Sequence, residues 1–127
     1  MRVALDTNRL TDLFRDDTAL AERLGECEQV WIPLGVYAEI KAGFYGGSQP
    51  ARNEKLLREF LSRETVGILT PDRETAEQFA RLHVQLKRAG TPVPVNDLWI
   101  AAQALQHDLV LIARDRHFRR IPPLLTA

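Results

Sequence analysis

The stretch MRVALDTNRL, residues 1–10, decides how the rest of the chain is read. Val3, Ala4 and Leu5 form a continuous apolar run, the pattern of a strand covered on both faces. The run goes straight into Asp6, Thr7 and Asn8. An acid at the end of a buried strand must find a partner, because an unpaired buried charge is costly. Asp6 is therefore either a turn residue or a carboxylate whose charge is held for use. A second run, Leu109-Val110-Leu111-Ile112-Ala113, is the clearest buried strand of the chain, and another acid, Asp115, follows it by two residues.

Working inward from these two runs, strands and helices alternate. Strands are expected over 2–5, 29–32, 66–69 and 109–113, the second stopped by Pro33. Short helices are expected over 9–14 and 18–24, with Asn8 and Asp17 as caps. Further helices are expected over 35–44 and 51–63, where Leu56, Leu57, Phe60 and Leu61 have helical spacing. Asp72 caps a long helix with Ala76, Phe79, Ala80, Leu82 and Leu86 on its apolar face and Gly90 at its C-cap. His83 is expected to pack on that face. Residues 91–95 hold two prolines and read as a loop. A last helix starts at Asn96 or Asp97 and ends near His107. Apolar strands alternating with helices mean an α/β fold with a parallel sheet covered on both sides.

A length of 127 residues fits one domain, 1–127, that buries enough surface to fold without a disulfide or structural metal. Cys27 is alone, which fits a reducing cytoplasm and a role as core filler. No signal peptide and no membrane span are expected. The 17 basic and 17 acidic residues balance, so nothing global points to nucleic acid. The charge is uneven, however: residues 114–120 carry four Arg against one Asp.

In open α/β sheets, ligands bind beyond the carboxyl ends of the strands. Asp6 and Asp115 share that rim if their strands are close. Glu39 sits among Gly35, Val36, Ala42 and Gly43, a small apolar helix face that is not the solvent side. Asp97 opens Asp97-Leu98-Trp99-Ile100-Ala101-Ala102, a helix apolar almost all round, so its first turn is expected inside. Each acid has a plainer reading: Asp97 as N-cap, Asp115 as turn residue, Glu39 as a rim acid paired with Arg. One shared cause explains all four better, and that cause is a metal. Clustered carboxylates repel in a low dielectric, and a divalent cation removes the conflict. All-oxygen ligands select Mg²⁺ or Mn²⁺ over zinc.

The ordered set of Asp6-Thr7-Asn8 after a strand, Glu39 in a helix, Asp97-Leu98-Trp99-Ile100-Ala101-Ala102, and Ala113-Arg114-Asp115-Arg116-His117-Phe118 resembles the PIN-domain family. In length and spacing it looks like the VapC-type toxin ribonucleases of toxin–antitoxin systems. The resemblance covers nearly the whole chain. It implies a PIN-like three-layer α/β/α sandwich around a central parallel sheet of four to five short strands, with the final edge strand very short after Pro122-Pro123-Leu124-Leu125. It implies that Asp6, Glu39, Asp97 and Asp115 form the acidic site of a Mg²⁺-dependent endoribonuclease, cleaving RNA by an activated water, with Thr7 supporting the first acid. It also implies an antitoxin partner and a homodimer. Position 114 departs from the pattern, since Arg stands where many relatives carry a small polar residue.

An acidic site repels RNA, so cations must hold the backbone. Arg9, Lys41, Arg114, Arg116, Arg119 and Arg120 lie close in sequence to a site acid or its rim. Three rival readings compete. A receiver-like phosphoacceptor module would use Asp72 but needs a Lys after a late strand, and none follows Lys87. A haloacid-dehalogenase-like phosphatase needs an Asp where Asn8 stands. A non-catalytic PIN-like RNA-binding or scaffold domain would differ only in failing to cleave RNA.

Overall fold

The computed structural model describes residues 1–122 and 124–127. Four strands, β1 (Arg2–Leu5), β2 (Gln29–Pro33), β3 (Val66–Leu69) and β4 (Val110–Ile112), form one sheet. Six helices accompany them: α1 (Thr7–Phe14), α2 (Thr18–Gly25), α3 (Leu34–Gly46), α4 (Pro50–Leu61), α5 (Arg73–Arg88) and α6 (Val95–Gln106). A 3₁₀ turn spans Arg116–Arg120. Val3, Ala4 and Leu5 are buried in succession, and side chains alternate between faces along a strand. Helices must therefore cover both faces of β1, as the continuous apolar runs imply. Leu10 and Phe14 of α1, Val36, Ile40 and Phe44 of α3, and Leu98 of α6 all join the core.

The order is β3-β2-β1-β4, and every pairing is parallel. The chain moves outward from β1 to β3, then returns to place β4 on the other side of β1. That reversal opens a crevice at the carboxyl ends of β1 and β4, the position where α/β sheets bind ligands. Leu5 pairs with Ile112, and the Asp6 amide donates to the Ile112 carbonyl at 3.2 Å. Asp6 and Asp115 thus leave neighbouring strands at the same rim.

Beyond β4 the expected fifth strand is reduced to an isolated parallel bridge. Leu111 donates to the Leu125 carbonyl and the Ala127 amide to the Leu111 carbonyl, both at 2.9 Å, with a parallel bridge between Leu111 and Thr126. Pro123, in the expected approach to this strand, lies outside the described residues.

Several boundaries differ from expectation, each for a local reason. β2 runs through Pro33, whose φ of −56° and ψ of 143° suit both a strand end and the residue before a helix. β4 is shorter than 109–113 because the Leu109 amide is taken by the Ala104 carbonyl of the preceding helix. α6 begins at Val95, with Pro94 before it. On α5 the buried stripe is Thr75, Leu82 and Leu86, not the alanine side. Thr75 belongs inside because its hydroxyl bonds Gln106 of α6 and closes a capping box with Asp72. His83 is consequently exposed, stacked on Phe79 at 6.1 Å, while Phe79 stacks on Trp99 at 4.4 Å. Cys27 is buried, as a core filler would be. Gly67 of β3 has a packing reason: a Cβ there would lie 2.8 Å from the Trp31 ring, which its own bond to Gln29 holds in place.

Candidate active site

Asp6 is the residue between β1 and α1, and it is 3% exposed. It is the N-cap of α1, its Oδ1 accepting from the Arg9 amide at 2.8 Å. The expected cap, Asn8, lies inside the helix instead, because Asp6 already satisfies the amide at the third helical position. Burial pushes the Asp6 carboxyl above its ordinary value, against hydrogen bonds from the Arg9 and Arg114 backbones and the charge of Arg114.

Asp97 sits in the first turn of α6 and makes no cap bond, so the N-cap reading fails for it. Its side chain is one-fifth exposed. Burial raises its carboxyl most, Asp115 raises it further, and the His117 bond pulls it down. Asp115 does act as a turn residue, since Oδ1 accepts from the His117 amide at 2.9 Å and caps the 3₁₀ turn. That role occupies one oxygen and leaves the carboxylate at the rim.

Glu39 is exposed rather than turned inward. Its small neighbours Gly35, Ala42 and Gly43 are exposed too, and only Val36, Ile40 and Phe44 face the core. The Thr7 hydroxyl donates to Glu39 at 3.1 Å. Thr7, expected to support Asp6, therefore holds the second acid instead, across from α1 to α3.

All four acids line one recess of about 150 Å³, together with Thr7, Asn8 and Ile100. At its edge, two of these acids, Asp97 and Asp115, group with His117, with ligand atoms within 4.8 Å of one another. A larger groove of about 500 Å³ adjoins the recess at Thr7 and Glu39 and runs between α1, α3 and the start of α4. Carboxylate oxygens dominate the donor set, which suits a hard divalent cation. Two of the four carboxylates are pushed toward protonation by burial, and a cation would reverse that pressure. The residues present therefore fit a divalent metal.

The six expected cations divide. Arg9 pairs with Asp12 at 3.2 Å, and Arg114 with the same Asp12 at 2.8 Å. Lys41 pairs with Glu54 of α4 and lies near the Tyr37 and Tyr45 rings. Arg120 donates to the Pro92 carbonyl at 3.4 Å. Arg116 and Arg119 are exposed and make no ion pair among the described residues. Arg119 flanks a small pocket that also touches Asp115.

Two residues at the site are absent from the sequence-based set. His117, read as a loop residue, lies 3.2 Å from Asp97 and 3.0 Å from Asp115. Its signal was its place two residues after a rim acid in a tight turn. Asp12, which organises two of the cations, had only its spacing from Arg9 to mark it.

A parallel sheet with a carboxylate recess at its switch point is the architecture of a PIN-like domain. The chain belongs to the PIN-domain family, whose model matches residues 3–123. It is 30% identical over 125 residues to Ribonuclease VapC1 of Haemophilus influenzae, covering 94% of this chain and 92% of that relative. Among solved structures, VapBC-1 from nontypeable Haemophilus influenzae matches with a TM-score of 0.86 at 28% identity, over 100% of this chain and 97% of the other. DNA-bound VapBC from Salmonella typhimurium matches with a TM-score of 0.90 at 26% identity, over 100% and 97%. Among the described residues no helix is long and apolar enough to cross a membrane.

Proposed function

We propose that this chain is a metal-dependent endoribonuclease and the toxin of a toxin–antitoxin pair. The observation that carries the proposal is that Asp6, Glu39, Asp97 and Asp115, from four separate segments, line one recess. The ribonuclease names of the relatives supply the substrate class, and the VapBC complexes supply an antitoxin as partner. Mg²⁺ is the proposed cation, with Mn²⁺ as a substitute, held by Asp6, Asp97, Asp115 and Glu39.

Each residue has a stated task. Asp6 is fixed by the strand before it and the helix it caps, which holds its carboxylate at the recess. Thr7 orients Glu39 from across the recess. Arg116 and Arg119 are free to contact the RNA backbone beside Asp115. When bound, the cation supplies an activated water for in-line attack and offsets charge on the phosphate oxygens. No side-chain general base is then needed.

The test is RNA cleavage by the purified chain with Mg²⁺, with EDTA, and in the Asp97→Asn variant. Cleavage should require Mg²⁺ and be lost in the variant. Cleavage that persists in EDTA, or at full rate in the variant, would overturn the assignment.

A further inference from the structure

We propose that His117 is a positioning residue of the acid recess, holding Asp97 and Asp115 together through Nδ1 so that both can face one cation. The inference rests on the reading of the recess as a cation site. Asp97 and Asp115 come from different elements, the first turn of α6 and the loop after β4. Their charges repel, and Asp115 raises the Asp97 carboxyl. His117 Nδ1 lies between them, 3.2 Å from Asp97 Oδ2 and 3.0 Å from Asp115 Oδ1. The Asp97 contact is a hydrogen bond, and the Asp115 oxygen lies at ion-pair distance from the same nitrogen. An Nδ1–H tautomer and an imidazolium both present that donor at the same place.

The imidazole is itself well fixed. The His117 backbone amide donates to the same Asp115 Oδ1 at 2.9 Å, so the main chain of this residue holds the oxygen that its ring approaches. The next residue, Phe118, is 1% exposed and anchors the turn in the core. Among the described residues, no hydrogen bond engages Asp97 Oδ1 or Asp115 Oδ2. Each carboxylate is therefore held by one oxygen and keeps the other for a cation. Partners of this kind orient metal ligands, and losing one typically weakens metal affinity roughly 10- to 100-fold.

Side-chain geometry provides the test. The Asn amide nitrogen stands close to where Nδ1 of His lies, whereas the Gln amide nitrogen reaches further, toward the Nε2 position. Mn²⁺ binding is measured by electron paramagnetic resonance on the RNA-free protein, for wild type, His117→Ala, His117→Asn and His117→Gln. The expected result is Mn²⁺ affinity reduced roughly 10- to 100-fold in His117→Ala, near wild type in His117→Asn, and weak in His117→Gln. The wild-type spectrum should carry no imidazole nitrogen coupling. Unchanged affinity in His117→Ala overturns the proposal. So does nitrogen coupling that vanishes in that variant, because His117 would then be a ligand. If His117→Ala does not fold, the Asn and Gln variants decide, and equal affinities in those two overturn it. Failure of wild type to bind Mn²⁺ at all overturns the cation-site reading itself, a result distinct from any of these.

Discussion

Arg114 Nε lies 2.8 Å from the Asp12 carboxylate, an ion pair that ties the loop after β4 to α1. Asp12 also holds Arg9 at 3.2 Å, and Arg9 reaches Asp17 at 3.8 Å. One acid thus anchors two guanidinium groups beside the β1–β4 crevice. Arg9 Nε is buried with no hydrogen-bond partner among the described residues, so its Nη1 contacts matter the more.

Asp12→Ala should destabilise the chain by about 1–2 kcal/mol, read from urea unfolding. Most of that belongs to Arg9, because the Arg9 and Asp12 side chains are about one-fifth exposed. The Arg114 side chain is 54% exposed, so solvent screens its share. A double-mutant cycle should give Arg114–Asp12 a coupling under about 1 kcal/mol. A larger coupling would mean the pair is less screened than its exposure implies.

RNA binding should weaken steeply with salt, and the slope should fall by about one phosphate contact in each of Arg116→Ala and Arg119→Ala. Lys41→Ala should leave the slope alone, because Lys41 is committed to Glu54, and should instead loosen α3 from α4. Binding to a short RNA in EDTA, measured across a salt series, separates the two behaviours. An unchanged slope in both Arg variants would remove this patch from the RNA interface.

Asp6→Asn should abolish Mg²⁺-dependent cleavage while keeping stability within about 1 kcal/mol of wild type, since Asn is an equally good N-cap. Asp6→Ala loses the cap as well and should cost about 1 kcal/mol more. Thermal melts alongside RNA cleavage check both statements. Cleavage at the wild-type rate by Asp6→Asn would exclude this carboxylate from the chemistry.

The pH dependence of the metal-free chain follows from burial. Asp6 and Asp97 are raised above 3.8 in the folded state, so folded protein keeps protons that the unfolded chain has already lost. Stability from these groups is therefore present at low pH and falls as pH rises from the unfolded value through the folded ones. In EDTA, the wild-type unfolding midpoint minus that of Asp6→Asn should fall as pH rises above the ordinary carboxylate value. Mg²⁺ should raise the wild-type midpoint at neutral pH, and raise it less in the variant. A difference that does not change with pH would mean the Asp6 carboxyl is not raised by burial.

Much of this was legible from residues 1–10 and 109–115 alone. Unbroken apolar runs specify strands covered on both sides, and acids directly after them specify a rim. What the chain could not show was the local competition for hydrogen bonds. Asp6 and Asn8 are both good caps, and only the backbone geometry gives the cap to Asp6. Thr7 could serve either neighbour, and the approach of α3 decides for Glu39. The inward-facing side of α5 is not legible from its alanines, because the buried Thr75 hydroxyl is satisfied by Gln106 of α6, a partner 31 residues away. His117 carries no signal of its contact with Asp97, because sequence distance says nothing about which way a turn points its ring.

The Asp6 cap has one more consequence. The carboxylate proposed to meet the cation is also the acceptor for the Arg9 amide, so whatever loads the recess also stiffens the opening turn of α1. Hydrogen exchange at that single amide therefore reads site occupancy from inside the protein, with no substrate or catalytic turnover required.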